Sequence, residues 1–429
     1  MTTRHTARTF LIFAALVFSG GMNCNGGEKS PDASLPAADG SSQGSDVRRD
    51  AAVAQVDSPA VDAAAAADVA SLGFDTAAPD LPAPLDVSPD GAGPAQLDTG
   101  AAIDSPPIDS PPIDGPAIVY SCGAFPLGSD WTTAAGFRSA IVAAGSPLVN
   151  PVALTFSGGA FGDGFVYIVD QGANTVLRMN AKTGALSAFV SGSQWPQTPS
   201  LLTTILWDSD PTFDGLLYVS DQGGDGDSDS RIFRSNASGT TQIFAAAPGP
   251  GLDDIYGMVF SPGGSYPAGL YVSGDTDGSG PGTGLFTSAG TGATFATFAG
   301  IEGLAVDKSG RFGGGLFASM PAGGGYSGDD TLSRIKPDGT KGAPLVSGIP
   351  GIHAVAFAPA GPFGGDAYVA SWSSQKIVRI KPDGSTSDLA TGLSLTNYDG
   401  NILAFSPDGR VLFVADRSNA RIVCIEPTN

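Results

Sequence analysis

"VLFVADRSNARIVCIEPTN" (residues 411–429) reads as two strands and the turn between them. Two short apolar runs, rich in Val, Ile and Phe, flank the polar stretch "DRSN", and runs of that kind make strands. The first run recurs upstream as "FVYIVD" (165–170), "LLYVSD" (216–221), "GLYVSG" (269–274), "GLFASM" (315–320) and "DAYVAS" (366–371). An aromatic holds one fixed place in all six: Tyr167, Tyr218, Tyr271, Phe317, Tyr368 and Phe413. Self-similarity at such a period announces a repeat architecture.

Each unit opens earlier, with an apolar strand ending on Phe156, Trp207, Phe260, Val306, Phe357 or Phe405; these stand 51, 53, 46, 51 and 48 residues apart. Glycines and an aromatic fill the first connection: Phe161, Phe213, Tyr266, Phe312 and Phe363 are expected to plug the base of each unit. A third strand carries Arg178, Arg234, Arg334 or Arg379, and "KPDG" follows it at 336–339 and 381–384, a tight-turn signal. A fourth strand ends on Gly or Pro-Gly, as in "ALSAFVSG" (185–192). Four strands in about 50 residues make one propeller blade.

The sixth unit stops after its third strand. "FRSAIVAAG" (137–145) looks like a fourth strand and precedes the first blade. The expected fold is therefore all-β: a six-bladed β-propeller over 118–429, closed by an N-terminal strand that completes the last blade. Closure removes exposed strand edges, which otherwise template aggregation. Cys122 and Cys424 flank that seam. They read as a disulfide in an exported chain, with two unpaired thiols as the alternative.

The strings "LYVSD", "VLFVADRSNARIVCIEP" and "GIHAVAFAP" (351–359) resemble the six-bladed propellers of the NHL, gluconolactonase (SMP-30-like) and TolB-like group. That group contains lactonases, lyases, dehydrogenases and binding modules, so the resemblance implies a fold and leaves the activity open. It also implies that the first strand of each blade lines the central channel. Four residues before each landmark stand Val152, Thr203, Tyr256, Glu302, His353 and Asn401, and the next residue is small in five blades. Tyr256, Glu302, His353 and Asn401 are thus expected to bind a ligand at the channel mouth. His353 and Asp399 are the candidates for acid–base work. The resemblance further implies that Glu302 and Asn401 hold a divalent metal; Val152 and Thr203 depart from such a ligand set. The competing reading makes these side chains polar lining of a wet axis.

Oxygen ligands at alternate positions, Asp225, Asp227 and Asp229 in "DQGGDGDSDSR" (221–231), suit calcium, although the EF-hand pattern fails. A solvated acidic loop is the alternative. Asp170, Asp221 and Asp416 end second strands and are expected to cap the turns that follow. No G-x-S-x-G elbow, phosphate-binding loop, paired C-x-x-C or H-E-x-x-H is present.

Arg4, His5 and Arg8 precede the apolar stretch "FLIFAALVF" (10–18), and Cys24 follows "SGGMN". Residues 1–23 read as a signal peptide, since nine apolar residues are too few to span a bilayer. The arrangement resembles a bacterial lipoprotein signal that lipidates Cys24; plain cleavage after Gly21 is the alternative. Residues 24–117 form an Ala, Asp and Pro-rich segment, with "IDSPPIDSPPIDGP" at 103–116. It lacks the apolar area to offset its ordering entropy and reads as a disordered tether. The charge is +2 over 1–24, −13 over 25–117 and −10 over 118–429. Nucleic acid and anionic lipid are repelled by the last two regions. The expected protein is a monomeric, exported propeller at the cell envelope or outside the cell. Its membrane contact would be a lipid on Cys24. It would bind a small molecule, glycan or envelope protein, or would instead act as a metal-dependent hydrolase or lyase.

Overall fold

The repeated apolar alternation produces six antiparallel sheets, each wound from an inner to an outer strand. The structure, a computed structural model, describes residues 118–428 except 159–160, 163, 209–210, 224–228, 248, 250–251, 253, 275–281, 298–299, 321–329 and 396–399. The expected signal, Cys24, the tether, Asp225, Asp227 and Asp399 lie outside the described residues. Two strands precede the first blade: β1 (Thr132–Thr133) and β2 (Phe137–Ala144). Blade 1 holds β3 (Pro151–Phe156), β4 (Phe165–Asp170), β5 (Thr175–Asn180) and β6 (Leu186–Val190). Blade 2 holds β7 (Leu202–Trp207), β8 (Leu217–Asp221), β9 (Arg231–Ser235) and β10 (Thr241–Ala246). Blade 3 holds β11 (Ile255–Phe260), β12 (Leu270–Gly274), β13 (Thr283–Phe286) and β14 (Gly292–Ala296). Blade 4 holds β15 (Leu304–Asp307), β16 (Gly315–Met320), β17 (Thr331–Ile335) and β18 (Lys341–Ser347). Blade 5 holds β19 (Ile352–Phe357), β20 (Ala367–Ser371), β21 (Lys376–Ile380) and β22 (Thr386–Thr391). Blade 6 holds β23 (Leu403–Phe405), β24 (Leu412–Asp416) and β25 (Arg421–Pro427), with β2 as its fourth strand.

Each inner strand abuts the next, and β23 abuts β3, so the ring is closed. The amide of Leu154 donates to the carbonyl of Asn401 across that last joint (2.9 Å). β2 pairs with β25 from Phe137 opposite Pro427 to Ala144 opposite Arg421. Cys122 and Cys424 form a disulfide with their Cα atoms 5.9 Å apart. The chain before β2 adds a link the sequence pattern did not reveal. β1 pairs with β22, Thr132 opposite Thr391, and extends blade 5 to five strands. Trp131 donates from its indole N–H to Ser139 (2.9 Å) and lies under the Arg421 guanidinium.

The repeated side chains serve the blade cores. Tyr167, Tyr218 and Tyr368 are buried on second strands and donate to the carbonyls of Phe161, Phe213 and Phe363. Those three loop aromatics are themselves buried, as the plug reading requires. Register places each third-strand arginine opposite the second-strand aromatic: Arg178 with Tyr167, Arg234 with Tyr218, Arg334 with Phe317, Arg379 with Tyr368. In blade 6 the same register sets Cys424 opposite Phe413. Among the described residues no helix is long and apolar enough to cross a membrane.

Candidate functional site

Inner strands begin at one end of the ring, and second strands finish there. His353 is the second residue of β19 and only 2% exposed. Its Nε2 lies 3.4 Å from Oε2 of Glu302, an ion pair when the ring is protonated. Its ring meets that of Tyr256 edge-on, with centroids 5.5 Å apart and planes at 89°. The Glu302 side chain keeps 19% of its surface exposed, so water reaches the cluster through the carboxylate. Blades 3, 4 and 5 thus bring a phenol, a carboxylate and an imidazole together, as the spacing predicts.

Local backbone geometry explains this convergence. Ser273 in β12 donates through its hydroxyl to the carbonyl of Glu302, and Ser319 in β16 donates to the carbonyl of His353. Ser319 Oγ also accepts from Gly303 N (2.8 Å). Each hydroxyl therefore fixes a main-chain site in the next blade. The glycines that follow Tyr256 and Glu302 have a steric cause. A Cβ on Gly257 would lie 2.7 Å from the Glu302 carbonyl, and one on Gly303 would lie 2.2 Å from that of His353. Only glycine lets these inner strands approach so closely.

The other expected members behave differently. Val152 and Thr203 are buried, and the Thr203 hydroxyl donates to Ile255 O (2.6 Å). Asn401 begins blade 6 and reaches blade 1 through its main-chain carbonyl. Among the described residues its side chain makes no hydrogen bond to Tyr256, Glu302 or His353. Of the acidic loop, Asp229 alone falls within the described residues, with its carboxylate against Gly223.

Polar groups just beyond the second strands complete this end of the ring, and sequence reasoning missed them. Gln222 donates to the Tyr256 hydroxyl (3.4 Å). Gln171 donates to Leu202 O (3.0 Å) and accepts from Arg417 (2.5 Å), tying blade 6 to blade 1 and blade 1 to blade 2. Their shared place, directly after Asp170, Asp221 and Asp416, is the signal that marks them.

Asp170 and Asp221 cap the turns that follow them, whereas Asp416 makes no backbone cap and accepts from the Asn419 side chain instead; all three also reach further. Asp170 accepts from Ala173 N ahead of it and also from Val149 N and Asn150 N. Asp221 accepts from Ser200 N and Leu201 N, and Asp416 from Ser394 N. They pin the chain that leads into each blade's inner strand. Burial pushes the Asp221 carboxyl above the usual range, against the pull of those N–H groups and Arg231.

A divalent metal of the kind the resemblance implies needs several oxygen or nitrogen ligands on one point. Among the described residues no group of three His, Cys, Asp or Glu gathers in that way. Two positions that would complete a set hold Val152 and Thr203. The described residues do not by themselves make up a set that fits the metal.

Neither a protein-family profile nor a curated protein matches the sequence. Solved structures do. The PQQ-bound aldose sugar dehydrogenase of Streptomyces coelicolor is 19% identical, with a TM-score of 0.47 over 69% of this chain and 99% of its own. Virginiamycin B lyase of Staphylococcus aureus is 14% identical, TM-score 0.45, over 70% and 100%. An auxiliary nutrient binding protein of Bacteroides ovatus is 13% identical, TM-score 0.46, over 66% and 70%. At these values the likeness adds no argument about chemistry. The six-bladed propeller stands on the chain's own strand order.

Proposed function

We propose that this chain is an exported propeller, tethered to the cell envelope by its N-terminal segment, that binds a polar small molecule or glycan at the channel mouth. One observation carries the reading: Tyr256, Glu302 and His353, from three successive blades, meet where Glu302 opens to water. A phenol, carboxylate and imidazole supply donors, acceptors and an aromatic edge at one point, the equipment of a specific polar site. Ligand-detected NMR against a panel of glycans and sugar acids tests it. A panel member binds the native chain and binds at least tenfold more weakly to Glu302→Gln and His353→Asn. A panel without a binder, or variants that bind equally well, overturns the proposal.

A catalytic reading draws on the 3.4 Å approach of Glu302 to His353, the arrangement of a base and its orienting carboxylate. It predicts turnover of a lactone in a screen, abolished in His353→Asn. Export and tethering draw on the basic head, the apolar stretch and Cys24, and a buried disulfide suits an oxidising compartment. Fractionation of cells carrying Cys24→Ser tests the anchor: the variant leaves the membrane fraction if Cys24 is lipidated and stays put if it is not.

A further inference from the structure

A concavity of about 440 Å³ opens beside the seam, at the end of the strands opposite His353. The connections β19–β20 and β23–β24 supply Pro362 and Arg410; the seam supplies Val119, Arg138, Glu426 and Pro427. Glu426 is nearly buried and its charge is answered. It accepts from Cys122 N (2.8 Å), from the Ser121 hydroxyl (3.2 Å) and from the Arg138 guanidinium. Arg410 differs: among the described residues its guanidinium has no carboxylate partner, in a chain of net charge −21. Beside it Val119, at 57% exposure, is among the described residues one of four large apolar side chains left open to solvent.

A free cation and an open apolar wall share one pocket of ligand size. We infer that this pocket binds a small organic monocarboxylate, the carboxylate forked on Arg410 and the apolar body against Val119, Pro362 and Pro427. Arginine suits that recognition because its planar fork matches a carboxylate in two hydrogen bonds. The neutral Arg138–Glu426 pair forms a wall that neither repels the anion nor competes for it. This site is independent of the channel mouth.

Titration of the full chain with benzoate and with benzamide, followed by calorimetry and by amide shifts at Ser121 and Thr428, tests the inference. Benzoate binds, and benzamide binds at least tenfold more weakly. Arg410→Gln erases the preference, and Val119→Asp abolishes benzoate binding by adding a like charge. Lys341→Gln, an exposed cation on the outer strand of blade 4, changes nothing. Equal binding of the two probes, absence of benzoate binding, or a preference that survives in Arg410→Gln overturns it.

Discussion

Tyr218 shows how one buried hydroxyl ties stability to pH. It is fully buried, donates to Phe213 O, and burial pushes its phenol up to about 12. In the unfolded chain the same phenol ionises near 10. Between those values the unfolded state has lost a proton that the native state keeps. Stability is therefore whole below pH 10 and falls as pH rises toward 12. Tyr271 and Tyr368 are pushed in the same direction by burial. The Tyr218→Phe variant is expected to lose about 1 kcal/mol less than the native chain between pH 9 and pH 11, read from denaturant midpoints. At this scale Tyr256, Glu302 and His353 were legible because each is counted from a strand landmark. Gln171 and Gln222 were not, since a polar residue one step past a strand carries no periodicity of its own. Asn401 takes the equivalent place in blade 6, where its carbonyl accepts from Leu154 N.

The inner strands behave as interlocked elements. Replacing Gly303 by alanine would set a methyl 2.2 Å from the His353 carbonyl, with the Ser319 hydroxyl 3.0 Å away. Gly303→Ala is expected to cost about 1–3 kcal/mol in a denaturation curve, as overpacking does, and to shift the His353 ring resonances. Arg334 spans a different junction: it donates to the carbonyls of Phe312 and Gly314 and lies over the Phe317 ring. Arg334→Ala strands those two carbonyls and is expected to lower stability by about 1–3 kcal/mol in the same assay. The small residues and the arginines were visible as patterns in the sequence. Their reasons were not, because both depend on which backbone lies across the gap. β1 escaped notice entirely: two threonines are too short a run to show alternation.

For the molecule as a whole, the period near 50 residues gave the number of blades, and the truncated sixth unit gave the closure. The Cys122–Cys424 bridge spans 302 residues of chain and stitches the seam beneath Glu426. Cys424→Ser is expected to lower unfolding free energy by about 2–5 kcal/mol, measured by guanidinium titration without reductant against the native chain. The origin of the final blade also dictates an order of events. A ribosome delivers β2 hundreds of residues before β25 exists, so this strand must wait unpartnered while five blades assemble. Circularisation is the last act of maturation, and any factor that shields Phe137–Ala144 in the interval guards the nascent chain where it is most prone to stray pairing.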